Sequence, residues 1–124
     1  MVSDVIWYFE TITANNRVEL ANVEHFRTHY SPNEAINWYT KNTFLYRLLN
    51  KALRTEDVYL LYCFRFYIID LCRHLEHENI LRSNTLTLYR GQTMIRSEFE
   101  KLKIDSIISP NGFFSTSKNI NVAL

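Results

Sequence analysis

Two short stretches near the C-terminal end carry side chains suited to holding a polar ligand. The first is Leu-Tyr-Arg-Gly-Gln, residues 88–92. An arginine at the end of an apolar strand is costly to hold unless its guanidinium faces an anion. Its planar fork matches the oxygens of a phosphate. Gly91, directly after Arg90, lets a ligand come close to the backbone, whose N–H and C=O can then hold an amide. The second stretch is Phe-Phe-Ser-Thr-Ser, residues 113–117. On a strand, Ser115 and Ser117 point to one face and Thr116 to the other. Two hydroxyls on the face near Arg90 would form a polar shelf for a sugar or a carboxylate. Each stretch also has a plainer reading, a solvated arginine beside a turn glycine and a hydroxyl-rich strand edge.

The elements that must position these residues follow from the hydrophobic pattern. Val5 to Phe9 is a short β-branched and aromatic run, open between strand and buried helix. Asn15-Asn16 marks a turn, and Leu20, Val23, Phe26 and Tyr30 follow at helical spacing. Ser31-Pro32-Asn33-Glu34 predicts a helix start, with Ser31 as cap, Pro32 in the first position and Glu34 closing a capping box. Leu45, Leu48, Leu49, Ala52 and Leu53 form one buried helical stripe, with Arg47, Asn50, Lys51 and Arg54 opposite. Thr55 is placed to cap a third helix, favoured by Glu56 and Asp57 at its start and running to about His77. This helix is apolar nearly all round and should be packed on more than one side. After Asn84 the period changes. Leu86 to Arg90 reads as a strand, and Ile95, Phe99 and Leu102 as a short amphipathic helix. Ile107-Ile108 and Phe113 to Ser117 read as two strands joined by the turn Ser109-Pro110-Asn111-Gly112.

Taken together and in this order, the motifs resemble the mono-ADP-ribosyltransferases of the Arg/Ser/Glu class. An aromatic-Arg-Gly strand is followed, 25 residues on, by Phe-x-Ser-Thr-Ser. The stretch 35–54, AINWYTKNTFLYRLLNKALR, resembles the helical region before the first strand in the arginine-modifying branch. The shared features there are Tyr-Thr, an Asn, Tyr-Arg-x-Leu-Asn and Ala-x-Arg. Val-Ala-Leu at 122–124 resembles the start of the segment after the Ser-Thr-Ser strand. The resemblance covers roughly residues 31–124 and implies an α+β fold. A helical lobe (31–80) would lead into the first strands (81–124) of an NAD-binding β-sandwich, with residues 1–30 unassigned.

The resemblance further implies NAD as co-substrate and an acceptor protein modified on arginine, with nicotinamide released. Arg90 would contact the NAD phosphate and ribose, and the Gly91 backbone would grip the nicotinamide carboxamide. Ser115 would support the nicotinamide ribose and help position a catalytic glutamate, and Thr116 and Ser117 would shape the same site. Phe113 and Phe114 could lie beneath the nicotinamide, although phenylalanines in such a strand are more often core. In that family a Glu-x-Glu strand follows, its second glutamate holding the ribose hydroxyl. No such motif occurs before Leu124, so the chain reads as an N-terminal portion without the catalytic group. Glu76-His77-Glu78 and Glu98-Phe99-Glu100 precede Ser115 and lie in segments read as helical. There, residues i and i+2 diverge by about 200°. A second reading is a non-catalytic relative that binds NAD weakly or acts as a helical interaction module. A third is a purely structural helical protein with a chance Ser-Thr-Ser.

Other features bound the function. With 14 basic and 13 acidic residues the net charge is +1, which gives no reason to expect a nucleic-acid partner. The longest apolar run, Val58 to Phe64, is far short of the ~20 residues of a membrane span. Met1 to Phe9 has no signal-peptide pattern, and a cytoplasmic location is expected. Cys63 and Cys72 are separated by about 900° of helix and about 13 Å, too far to pair. His25 and His29 have no third ligand at metal-binding spacing, so no metal is expected. His74 and His77 are read as answering a helix dipole. Arg65 and Asp70 are read as the solvated or ion-paired edge of the third helix.

Overall fold

The computed structural model describes residues 2–41, 44–80 and 84–123. The chain forms two units, Met1–Ser83 and Asn84–Leu124. The first is helical: α1 (Val2–Thr13), α2 (Arg17–His29), a 3₁₀ turn (Pro32–Glu34), α3 (Ala35–Thr40), α4 (Phe44–Thr55) and α5 (Val58–Ile80). None of these helices is long and apolar enough to cross a membrane.

The ambiguous run at the start is helical. A strand would put Val5, Trp7 and Phe9 on one face. Instead Val5, Ile6 and Phe9 are buried while Trp7 is 61% exposed, the pattern of one helical stripe. Asn16 begins α2 by accepting the N–H groups of Val18 (3.1 Å) and Glu19 (3.2 Å). Pro32 starts the next turn, as expected, but the capping box does not form. Ser31 makes no side-chain cap, and the Glu34 carboxylate accepts instead from Asn37 Nδ2 at 2.7 Å. In α4, Leu45, Leu49 and Ala52 are buried and Arg47, Lys51 and Arg54 exposed. Arg47 reaches Glu19 of α2 at 2.6 Å.

Thr55 does not cap the long helix. It is the last residue of α4, and its hydroxyl donates back to the Lys51 carbonyl at 2.8 Å. Asp57 is the cap, accepting the Leu60 N–H at 3.1 Å. Glu56 between them takes a left-handed φ of 52° that turns the chain. In α5, Leu60, Cys63, Phe64, Tyr67 and Leu71 are buried. This helix packs against α1, α3, α4 and the 3₁₀ turn. Tyr67 is fully buried, and its hydroxyl donates to the Ala35 carbonyl at 2.8 Å. Phe26 meets Trp38 and Phe44 edge-on, and Phe44 meets Phe9 at 4.3 Å between centroids.

The second unit corrects the expected fold class. There is no sheet among the described residues, so the chain is not α+β and no β-sandwich opens after residue 81. Two short helices are present, α6 (Arg96–Phe99) and α7 (Ile120–Ala123). Among the described residues, strand pairing is confined to one antiparallel bridge between Tyr89 and Ser117, with N–H···O distances of 2.8 and 2.9 Å. The predicted pairing of Ile107-Ile108 with Phe113 to Ser117 is absent, and Ile107 is 100% exposed. The reason is physical. Alternating apolar residues favour an extended backbone, but a strand exists only when a neighbour takes its N–H and C=O groups. No described residue of this unit is buried.

Removing the Tyr67 hydroxyl in Tyr67→Phe should cost about 1–2 kcal/mol, because the Ala35 carbonyl loses its buried donor. Phe64→Ala should cost about 3–5 kcal/mol through the cavity it leaves. Urea unfolding followed by helical ellipticity measures both, and equal, negligible losses would contradict this packing. A pH prediction follows from Tyr30 and Tyr67. Burial raises the Tyr30 hydroxyl well above its ordinary 10.0, helped by its 2.7 Å hydrogen bond to Asp70. Burial does the same to Tyr67. A pKa raised on folding favours the protonated native state, so this stability is complete below pH 10.0 and falls as pH rises above it. Helical ellipticity should therefore drop together with the appearance of phenolate absorbance, and Tyr30→Phe should move that drop to higher pH.

Candidate functional site

Within the second unit the Tyr89–Ser117 bridge sets the register between the two polar stretches. With those residues opposite, the chain segments run antiparallel, and Arg90 lies one residue beyond Tyr89 in the direction of Phe114 and Ser115. Arg90 Nη1 donates to the Ser115 carbonyl at 2.8 Å. Its Nε donates to Gln92 Oε1 at 3.3 Å. The guanidinium carbon lies 4.4 Å from the centre of the Phe114 ring. A cation over an aromatic face is held by the ring quadrupole while its remaining N–H groups stay in contact with water. The structure thus brings Arg90, Gln92, Phe114 and Ser115 together.

The other members of the two motifs are placed as follows. Gly91 is exposed and does not use a positive φ; the glycine that does is Gly112, at 151°, in the turn before Phe113. Ser115 meets Arg90 through its backbone carbonyl, and its side chain, like that of Thr116, is exposed. Ser117 departs from the shared shelf. Its hydroxyl accepts the Asn119 N–H at 3.0 Å, and Asn119 Oδ1 in turn accepts the Asn121 N–H at 3.0 Å. That relay starts α7, so the Ser117 hydroxyl shapes the backbone. Phe113 is half-buried and Phe114 exposed under Arg90. Asn42 and Leu124, on which the family resemblance also draws, lie outside the described residues.

Of the two Glu-x-Glu stretches, Glu76 and Glu78 lie on α5 and Glu98 on α6. Both glutamate pairs precede the Ser-Thr-Ser segment in helical or turn backbone. The His25 and His29 rings lie 4.3 Å apart, tilted by 39°, and no group of three or more metal-ligating side chains occurs among the described residues. Asp70 is not a solvated edge residue but the acceptor of the Tyr30 hydroxyl. Arg65 lies over Tyr62 and 3.9 Å from Asp4.

One feature of the helical unit was not legible in the sequence. Asn33, Ile36 and Asn37 face His74, Leu75, Glu78 and Asn79 across a cleft of 580 Å³. His74 lies well before the C-terminus of α5, and its Nδ1 is buried without a hydrogen-bond partner among the described residues. His77, not His74, lies in the last turn of α5. The only sequence signal was the i, i+4 spacing of Asn33 with Asn37 and of His74 with Glu78. No family model matches the chain, and searches of curated proteins and of solved structures return no significant match.

Ser117→Ala should speed amide hydrogen exchange at Asn119 by removing its acceptor. Exchange at Tyr89, whose partner is the Ser117 carbonyl, should change much less. Equal acceleration at both positions would mean that the hydroxyl supports the bridge itself.

Proposed function

We propose that the Arg90–Ser115 segment recognises NAD in the manner of an arginine-directed mono-ADP-ribosyltransferase. The observation that carries this reading is the 2.8 Å contact of Arg90 with Ser115, which joins two motifs 25 residues apart. Arg90 offers the diphosphate its charge and the guanidinium N–H groups that Ser115 and Gln92 do not take. Gly91 and Ser115 border it, offering backbone groups and a hydroxyl for the carboxamide and the nicotinamide ribose. Thr116 and Ser117 complete the segment. Cleavage of the nicotinamide–ribose bond develops positive charge on the sugar, and a carboxylate must stabilise it. No Glu or Asp follows Ser117 in residues 118–124. The acceptor would be an arginine side chain of a protein, by the likeness of residues 35–54 to that branch.

A second reading is favoured by the placement of the acidic pairs. Glu76/Glu78 and Glu98/Glu100 both precede the Ser-Thr-Ser segment in the chain and are not set on a strand after it. On this reading the chain binds NAD without cleaving it.

NAD titration by calorimetry, paired with an assay of nicotinamide release, tests both readings. Binding that falls at least about tenfold in Arg90→Ala, with ellipticity unchanged, supports Arg90 as the phosphate contact. Arg90→Lys should recover only part of it, because a point charge replaces a fork. Nicotinamide release selects the transferase reading, and binding without release selects the second. An absence of NAD binding, or binding insensitive to Arg90→Ala, would overturn the proposal.

A further inference from the structure

The helical unit gathers three exposed aromatic rings and a carboxylate around one cavity that the NAD reading does not use. Asp4 and Trp7 are i, i+3 on α1. Tyr59, Tyr62 and Cys63 are i, i+3 and i+4 on α5. Because α1 packs on α5, the two stripes line a common cavity of 250 Å³. The core beneath is already filled by Val5, Phe9, Leu60 and Phe64, all buried. The three rings are left out of it: Trp7 is 61%, Tyr59 54% and Tyr62 60% exposed. Each leaves much of its ring in contact with water. Three such side chains at one cavity, beside an acid, mark a recognition site more than a gap in packing.

The chemistry of the walls selects the ligand. Aromatic faces are electron-rich and attract cations, most strongly those that lose little hydration on approach. The site already holds one cation at its rim. The Arg65 guanidinium carbon is 3.9 Å from the centre of the Tyr62 ring, and Nη1 is 3.9 Å from Asp4 Oδ2. Nη1 also donates to the Tyr62 carbonyl at 2.6 Å, which fixes the arginine to its own helix. Asp4 is thus already engaged and contributes its field more than new hydrogen bonds. A ligand that needs many acceptors, such as a second guanidinium, is poorly served. A cation with spread charge and no N–H is well served, and 250 Å³ admits a head group of that size but no folded partner.

We infer that Asp4, Trp7, Tyr59 and Tyr62 form a binding site for a quaternary ammonium head group, carried by a small molecule or by a trimethylated lysine side chain. Arg65 competes for the Tyr62 face and tunes the affinity. Its partly exposed ion pair with Asp4 contributes little, so what a ligand must chiefly displace is the guanidinium's contact with the Tyr62 ring.

The test is calorimetric titration of the full chain with choline, with a trimethyllysine peptide, and with the neutral tert-butyl isostere of choline. Choline or the peptide should bind, and the isostere should bind at least about tenfold more weakly. Trp7→Ala and Tyr62→Ala should each weaken binding about tenfold with helical ellipticity unchanged, since both rings are exposed. Trp7→Phe should retain part of it. Arg65→Gln should tighten binding severalfold by removing the competitor, an effect that a merely structural role for Arg65 would not produce. Binding of choline assigns a free small molecule, and binding of the peptide only assigns a modified protein. No binding by either cation, equal binding of the isostere, or weaker binding in Arg65→Gln would overturn the inference.

Discussion

Burial of the middle of α5 is the constraint on which the helical unit depends. Leu60, Phe64, Tyr67 and Leu71 form a continuous stripe, and other elements pack around it. Tyr67 is the demanding member. Its ring is fully buried, and the hydroxyl must be satisfied there, because an unpaired buried hydroxyl offsets part of what the ring's packing contributes. The Ala35 carbonyl satisfies it and in doing so fixes the start of α3 against α5. Tyr30 and Asp70 repeat the device where the chain leaves α2. Two tyrosine hydroxyls thus set where the short α3 segment and its preceding turn must lie. The aromatic contacts of Phe26, Trp38 and Phe44 then fill the remaining space.

The segment carrying Arg90 and Ser115 is held by a different kind of force. It has no buried side chain among its described residues, and its pairing is a single bridge. Hydrogen bonds in water contribute little net stability unless burial accompanies them. Arg90 supplies some of what burial does not, since one side chain touches a carbonyl, an amide oxygen and a ring. A local arrangement of this kind opens at low free energy, as many ligand-binding segments do. A polyanionic ligand on Arg90 would add order where the protein itself supplies little.

The two candidate sites differ in how they handle charge. Arg90 is kept near water, with its positive charge available to a phosphate. At Trp7, Tyr59 and Tyr62 the attraction comes from ring faces and from the field of the Asp4 carboxylate, which Arg65 offsets in part from 3.9 Å. The first arrangement favours a strongly hydrated anion that can accept several hydrogen bonds. The second favours a weakly hydrated cation that donates none.

Much of the helical unit was legible in the sequence. The stripe of Leu45, Leu49 and Ala52 repeats at the helical period, and Pro32 after Ser31 favours a helix start, so local rules determined both. Tertiary structure decided the rest. Whether Val5 to Phe9 was helix or strand depended on which of its faces met α5, and the pattern of five residues contains no such information. The choice of Asp57 over Thr55 as cap depended on where the chain turned at Glu56. The sheet expected after residue 81 failed for the same reason. Alternation fixes which way side chains point, but a strand needs a partner in space, and among the described residues only Tyr89 and Ser117 have one. Convergence of Asp4 and Trp7 on Tyr59 and Tyr62 was equally invisible, because more than fifty positions separate them along the chain and only helix packing brings them together.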